Sequence, residues 1–403
     1  MPNGLSIITS ENKNSEIVNI SVWIRAGSRY ETKEQRGYAH LLEHMLFKGT
    51  KKFPSSFKVN VNKDRVGALS NAFTGPERIY FFIQVARKHA EKMFELLADI
   101  ILNPIIDAKV LETEKQVVIQ EIKRVSDDYF KYLWKETYKK IFQNHPLAQD
   151  PLGEEESILK AKAENLREYH EKFFIPNRSA IIVTGNISHN KILKLTDRFF
   201  NNWKRGFEFD NLKSPPGARD RRMHIEKNNS QSQLIFDFVC PAIGIKEYSI
   251  FEIVKNYLSY GSSSILNQEL RQKRGLVYNI SSSISAHRDA FLFSIETSTT
   301  KPLKAIKVIL ENINNFEKNF DKKVFTELKD QTLNILARQM NDSLNELKFL
   351  GLFWNLHGKL ITPKDYIGII KKATYRNILD AKKKYLTEDN LFISTLGKSD
   401  FKL

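Results

Sequence analysis

Val18, Ile20, Val22 and Ile24 alternate with Asn19, Ser21 and Trp23, the period-two pattern of a strand, and Ala26-Gly27-Ser28 follows as a turn. A polar stretch over residues 30–36 leads to Gly37. From Tyr38 to Phe47 the apolar spacing becomes helical, and Lys48-Gly49-Thr50 closes it with a glycine stop signal. Residues 68–85 read as strand again and contain Asn71-Ala72-Phe73-Thr74 and Tyr80-Phe81-Phe82-Ile83. Amphipathic helices are predicted over residues 89–102 and 108–125. The alternation of strands with long helices marks an α/β or α+β protein.

Residues 202–222 have neither period and include Ser214-Pro215-Pro216-Gly217, so they read as a linker between an N-terminal domain, 1–201, and a C-terminal domain, 223–403. The two parts share an internal repeat. Asp107-Ala108-Lys109-Val110 recurs 214 positions later as Asp321-Lys322-Lys323-Val324, and the segment ending Thr184-Gly185 matches the one ending Leu396-Gly397 at nearly the same offset. Both of the latter read as helix, short polar break, and strand ending in Gly. A duplicated domain follows.

With 403 residues the chain has room for two ordinary cores. Its single cysteine, Cys240, excludes a disulfide framework and an all-cysteine metal site, so any metal falls to His and carboxylate ligands. The formal charge of +16 comes from scattered lysines, with no phosphate-binding glycine loop and no aromatic-interleaved basic motif. A solvated basic surface is expected rather than a nucleic-acid site. No membrane span and no secretory leader are read, and a cytoplasmic location is expected.

The chemistry concentrates in His40-Leu41-Leu42-Glu43-His44. On a helix the two His side chains, four positions apart, leave one face about a turn apart, a spacing that suits two tetrahedral zinc ligands, and Glu43 lies on the same side. With nine His in the chain, about 0.01–0.02 such motifs are expected by chance. A catalytic zinc needs a third ligand while keeping a position open, and the helix over 108–125 offers Glu114 and Glu121, seven residues apart. Spacing alone does not choose between them. The remaining histidines show no partner at ligand spacing.

The inverted zinc motif and its surroundings resemble the pitrilysin/insulinase/mitochondrial processing peptidase family, in its short bacterial form. Those surroundings are Ala26-Gly27-Ser28-Arg29-Tyr30-Glu31, Gly37-Tyr38-Ala39 and Phe47-Lys48-Gly49-Thr50. The resemblance spans essentially the whole chain. It implies an α+β protein of two duplicated domains, each a mainly antiparallel sheet flanked by helices. It further implies His40, His44 and Glu121 as ligands of one Zn2+ per chain, Glu43 as general base, and Glu114, the first Glu of the family's Glu-x₆-Glu pair, as a residue supporting the ligands from outside the metal's own shell. From the C-terminal domain, Arg271 and Tyr278 match the family's Arg-x₆-Tyr pair, and Asn71, Ala72, Phe73 and Thr74 match its substrate-binding edge strand. One departure is Gly67-Ala68, where the family has Gly-Gly.

What the resemblance implies functionally is a zinc metalloendopeptidase that hydrolyses peptides or extended protein segments inside a dimeric chamber. A processing peptidase subunit and a non-catalytic scaffold of a heteromeric complex are the alternatives. The expected partner is a second copy, a homodimer in which Arg271 and Tyr278 act in trans, with a heterodimer as the other arrangement. Shifted by the repeat, His40, Glu43, His44 and Glu121 fall on Val254, Tyr257, Leu258 and Ile335. The second domain is therefore expected to hold no metal.

Overall fold

The computed structural model describes residues 1–208, 212–215 and 220–398. Residues 209–211 and 216–219 of the predicted linker, Pro216 and Gly217 among them, lie outside the described residues. The chain forms two compact units, one of residues 1–125, 149–211 and 339–361, the other of residues 126–148, 212–338 and 362–403.

The first unit is built on β1 (Ser6–Glu11), β2 (Ile17–Ile24), β3 (Leu69–Thr74), β4 (Ile79–Ala86) and β5 (Ser179–Gly185), in the spatial order β1-β5-β2-β4-β3. The second is built on β6 (Arg222–Glu226), β7 (Ser232–Pro241), β8 (Ile280–Ala286), β9 (Ala290–Thr299) and β10 (Leu391–Gly397), in the order β6-β10-β7-β9-β8. Substituting element for element, the two orders are the same. In each sheet one outer pair is parallel, β1/β5 and β10/β6, and every other pairing is antiparallel. The α+β class, the duplication and the mainly antiparallel sheets are thus present.

In the first unit α1 (Tyr38–Leu46), α2 (Ser56–Asp64), α3 (Ala90–Leu102) and α4 (Ala108–Asp127) follow one another along the chain. Val18, Ile20, Val22 and Ile24 of β2 join Leu41, Leu42 and Met45 of α1 and Phe94 and Leu97 of α3 in one buried core. The other face of β2 is buried too, although it carries Asn19 and Ser21. It is covered by the helix Ser343–His357, whose Leu347, Leu350 and Trp354 pack with Trp23, Ala180 and Ile182. The polar groups are satisfied there: Asn19 Nδ2 donates to Thr184 Oγ1 at 3.1 Å and Ser343 Oγ at 2.8 Å, and Ser21 Oγ donates to the Ile182 carbonyl at 3.0 Å. Gly351 has no room for a side chain, since a Cβ would stand 2.1 Å from the Trp23 ring.

The second unit mirrors this with α5 (Tyr129–Phe142). Leu133 packs with Ile235 and Leu396, Ile141 and Phe142 with Leu292 and Phe392, and Thr137 Oγ1 donates to Ser394 Oγ at 2.7 Å. The units are therefore not simple halves of the chain. A helix that follows α4 in sequence completes the second sheet, and a helix from the C-terminal half completes the first.

The repeat has a local cause as well. Asp107 accepts from the Lys109 and Val110 N–H groups at the start of α4, and Asp321 accepts from Val324 N–H at the start of the helix Lys322–Met340. Asp128 and Asp342 cap the two exchanged helices in the same way.

Candidate metal centre

α1 begins at Gly37, whose φ of 96° is left-handed and favours glycine. Its N-terminus is held by Glu31, a buried carboxylate that accepts from Gly37 N–H at 2.8 Å and Ala39 N–H at 2.7 Å. A carboxyl group here satisfies two amides that a helix leaves without partners. Burial pushes the Glu31 carboxyl up to about 8, against the pull of those two N–H groups.

Leu41, Leu42, Met45 and Leu46 are fully buried, which fixes the rotation of α1. That rotation turns His40, Glu43 and His44 toward α4 and β3. His40 Nε2 and His44 Nε2 each lie 3.8 Å from Glu121 Oε2, and the three ligand atoms fall within 4.8 Å of one another. Among the described residues no other group of His, Cys, Asp and Glu converges this way.

Two nitrogens and one carboxylate oxygen, all able to face one point, make a donor set that suits zinc and leaves a coordination position open. The fit extends behind the ligands. His44 Nδ1 lies 3.3 Å from Glu114 Oε2, and Lys48 Nζ is 2.7 Å from Glu114 Oε1. This contact fixes the tautomer with Nδ1–H donating to Glu114, so that Nε2 presents its lone pair to the centre. His40 Nδ1 is buried with no hydrogen-bond partner. Burial, with His44 beside it, lowers the His40 pKa to about 4, so its ring is neutral and ready to ligate well below neutrality.

Glu43 leaves the next position on the helix. Its Oε2 accepts a short hydrogen bond from Thr74 Oγ1 on β3, and burial raises its pKa. β3 is the outer strand of its sheet, bonded to β4 alone in the strand order. Alternate residues divide between its faces: Thr74 reaches Glu43 on the α1 side, while the Phe73 ring stacks 5.3 Å from Tyr80, itself 4.1 Å from Trp23, on the other. The turn before it keeps a left-handed glycine, Gly67, φ 61°, and Ala68 in place of a second glycine is accommodated.

The structure thus brings together His40, Glu43, His44, Glu114, Glu121 and the strand Asn71–Thr74 in one unit. Arg271 and Tyr278 belong to the other unit, where the Arg271 guanidinium lies 5.0 Å from the Tyr278 ring and Tyr278 is 78% exposed. Glu31, Lys48 and the side-chain role of Thr74 were missed. Their signal was present, since Glu31 and Lys48 lie in segments flanking the motif, but nothing in one sequence says which atoms they meet.

Residues 6–155 match the family described as insulinase (peptidase family M16), and residues 160–332 match the domain described as the peptidase M16 inactive domain. The chain belongs to the insulinase family. It is 28% identical over 390 residues to an uncharacterized zinc protease of Bacillus subtilis, covering 96% of this chain and 95% of that one. It is 27% identical over 387 residues to an uncharacterized zinc protease of Rickettsia felis, covering 95% and 93%. A probable mitochondrial-processing peptidase beta subunit of Schizosaccharomyces pombe is 30% identical over 221 residues, covering 55% and 48%. The fold matches that of a protease from Helicobacter pylori with a TM-score of 0.89 at 20% identity over 98% of both chains. The relatives in Bacillus subtilis and Rickettsia felis are named as zinc proteases. Among the described residues no helix is long and apolar enough to cross a membrane.

Proposed function

We propose that this insulinase-family chain is a zinc metalloendopeptidase that hydrolyses extended peptides with Glu43 as general base. The observation that carries the reading is the convergence of His40, His44 and Glu121 around one point, with Glu43 on the same helix and an outer strand beside it. Zinc bound by these residues supplies a Lewis acid that acidifies water and polarises the scissile carbonyl.

The chain's own groups do the rest. The peptide adds as a further strand along the free edge of β3, so backbone hydrogen bonds hold it and side-chain preference stays loose. Glu43 removes a proton from the attacking water as its oxygen bonds to the carbonyl carbon, then delivers that proton to the amide nitrogen as the C–N bond breaks. One zinc per chain, a homodimeric chamber, and Tyr278 and Arg271 acting on the substrate from the partner copy complete the proposal. These last elements rest on the family resemblance.

Glu43→Gln should keep zinc and lose about 10²–10⁴-fold in hydrolysis of a quenched peptide. A variant that retains more than about a tenth of the wild-type rate would sink the assignment. The likeness to a processing peptidase subunit favours a second reading, single cleavage of a longer precursor. Mapping products from a short peptide and a precursor separates the two. A pure scaffold needs none of the four site residues, and zinc-dependent hydrolysis that a chelator stops would exclude it.

A further inference from the structure

The segment Ala26-Gly27-Ser28-Arg29-Tyr30-Glu31 has no part in the chemistry proposed above, yet it buries two ionisable side chains, Arg29 and Glu31. Burying a charge is costly unless it is paired and hydrogen-bonded. Both have partners, backbone N–H groups for Glu31 and a carboxylate for Arg29. Glu31 holds the first turn of α1 through Gly37 N–H and Ala39 N–H. Arg29 forms an ion pair with Glu77, whose side chain is completely buried.

The backbone follows the same course. Ser28 N–H donates to the Gly75 carbonyl at 3.4 Å and Arg29 N–H to the Pro76 carbonyl at 3.1 Å. Gly27, φ 139°, lies so close to that turn that a Cβ would stand 2.1 Å from the Gly75 oxygen. Residues 27–31 are therefore a strap, fixed to α1 at one end and to the turn 75–77 at the other. That turn directly follows Thr74, whose hydroxyl donates to Glu43. A closed loop of contacts runs from α1 through Glu31, Arg29, Glu77 and Thr74 back to Glu43 on α1.

We propose that Thr74 is a positioning residue for Glu43, and that the buried Arg29–Glu77 pair sets Thr74 at the distance this requires. The proposal rests on the reading of Glu43 as general base. A glutamate side chain has three rotatable bonds, and a base swinging freely spends much of its time away from the water it must deprotonate. The hydroxyl pins one carboxylate oxygen and leaves the other for the proton transfer. Misplacing a catalytic group by about 1 Å can cost about 10²-fold in rate, so a strap that holds strand and helix in register acts on kcat.

The test uses the zinc-loaded chain, with kcat and KM on a quenched peptide and the zinc dissociation constant by chelator competition. Thr74→Val keeps shape and strand preference while removing the donor. It should lower kcat about 10–100-fold with KM and zinc affinity within about twofold, and Thr74→Ser should restore at least half of the wild-type kcat. Glu77→Gln should lower kcat in the same direction. The double variant Thr74→Val/Glu77→Gln should fall no further than Thr74→Val, because residues that act through one another are not additive. If Glu77→Gln does not fold, Arg29→Lys replaces it in the cycle, keeping the charge but losing the guanidinium fork. Thr74→Val with more than half the wild-type kcat, or losses that multiply in the double variant, would overturn the proposal. If Glu43→Gln itself hydrolyses like wild type, the general-base reading fails; if only the Thr74 variants do so, the positioning role alone fails.

Discussion

The two units share a strand order, a parallel outer pair and a helix received from elsewhere in the chain, yet among the described residues only the first gathers His and carboxylate groups that could hold a metal. At the positions that repeat His40, Glu43 and His44, the second unit has Val254, Tyr257 and Leu258 on the helix Ile245–Ser259. Val254 and Leu258 are fully buried, and the Tyr257 ring meets Phe316 and Phe320 edge-on at 4.9 and 5.0 Å. In the first unit the same face stays partly open, with the side chains of His44 and Glu121 20% and 29% exposed. The scaffold is therefore stable with either filling. At these three helix positions the second unit adds to its own core, where the first presents His40, Glu43 and His44.

The largest expected effect strikes that difference directly. His44→Ala removes one donor and should take zinc from one per chain to none by metal analysis, with peptide hydrolysis down at least about 10³-fold, since a ligand is lost along with the water it acidifies. Tyr257→Phe, at the matching place in the second unit, should leave both unchanged. A Tyr257→Phe chain short of zinc would break the comparison.

Next in size is Glu114→Gln. The amide can still accept from His44 Nδ1–H, but it loses the charge that Lys48 supports at 2.7 Å. Partners behind metal-bound histidines are commonly worth about 10–100-fold in metal affinity or activity. Chelator competition should show zinc affinity falling by that factor while the chain stays folded. Unchanged affinity would mean that α1 alone orients His44.

How much of this was legible in the sequence follows from the range of each interaction. The two histidines and Glu43 share one helix, so local geometry placed them. The strand Asn71–Thr74 showed in its pattern, as did the period of β2. The alternation of β2 suggested one polar face, whereas Asn19 and Ser21 lie buried beneath the helix Ser343–His357, more than 300 residues away in sequence. An amphipathic helix shows that it has an apolar face and not which sheet receives it. For the same reason a division at residues 202–222 could not foresee that α5 and Ser343–His357 exchange. Arg29 and Glu31 carry the same lesson at shorter range: their ionisable groups were visible, and their burial was not.

The smallest effect concerns how the two units respond to pH. In the second unit Asp237 is fully buried, accepts from Ser294 Oγ at 2.6 Å, and has its pKa raised to about 7 by burial. An unfolded aspartate ionises near 4, so the folded state holds this proton more tightly, and its contribution to stability is lost as pH rises from about 4 through 7. His40 runs the other way in the metal-free chain. Its folded pKa of about 4 lies below the unfolded value of about 6.5, so its contribution is present above 6.5 and is lost as pH falls toward 4. Glu31, raised to about 8 in the first unit, adds a decline of the same sign as Asp237, so the informative measurement compares a variant with wild type. Asp237→Asn cannot ionise and keeps an oxygen for Ser294, although its amide must find a partner where Asp237 Oδ2 has none. That partial mismatch limits the gain to about 1 kcal/mol at pH 8. Urea unfolding of both proteins at pH 5 and pH 8 should show the stability difference shifting toward the variant at the higher pH. Parallel curves would mean that Asp237 is ionised in the folded chain and stabilised by its surroundings, and the second unit would then carry a buried anion in place of a buried acid.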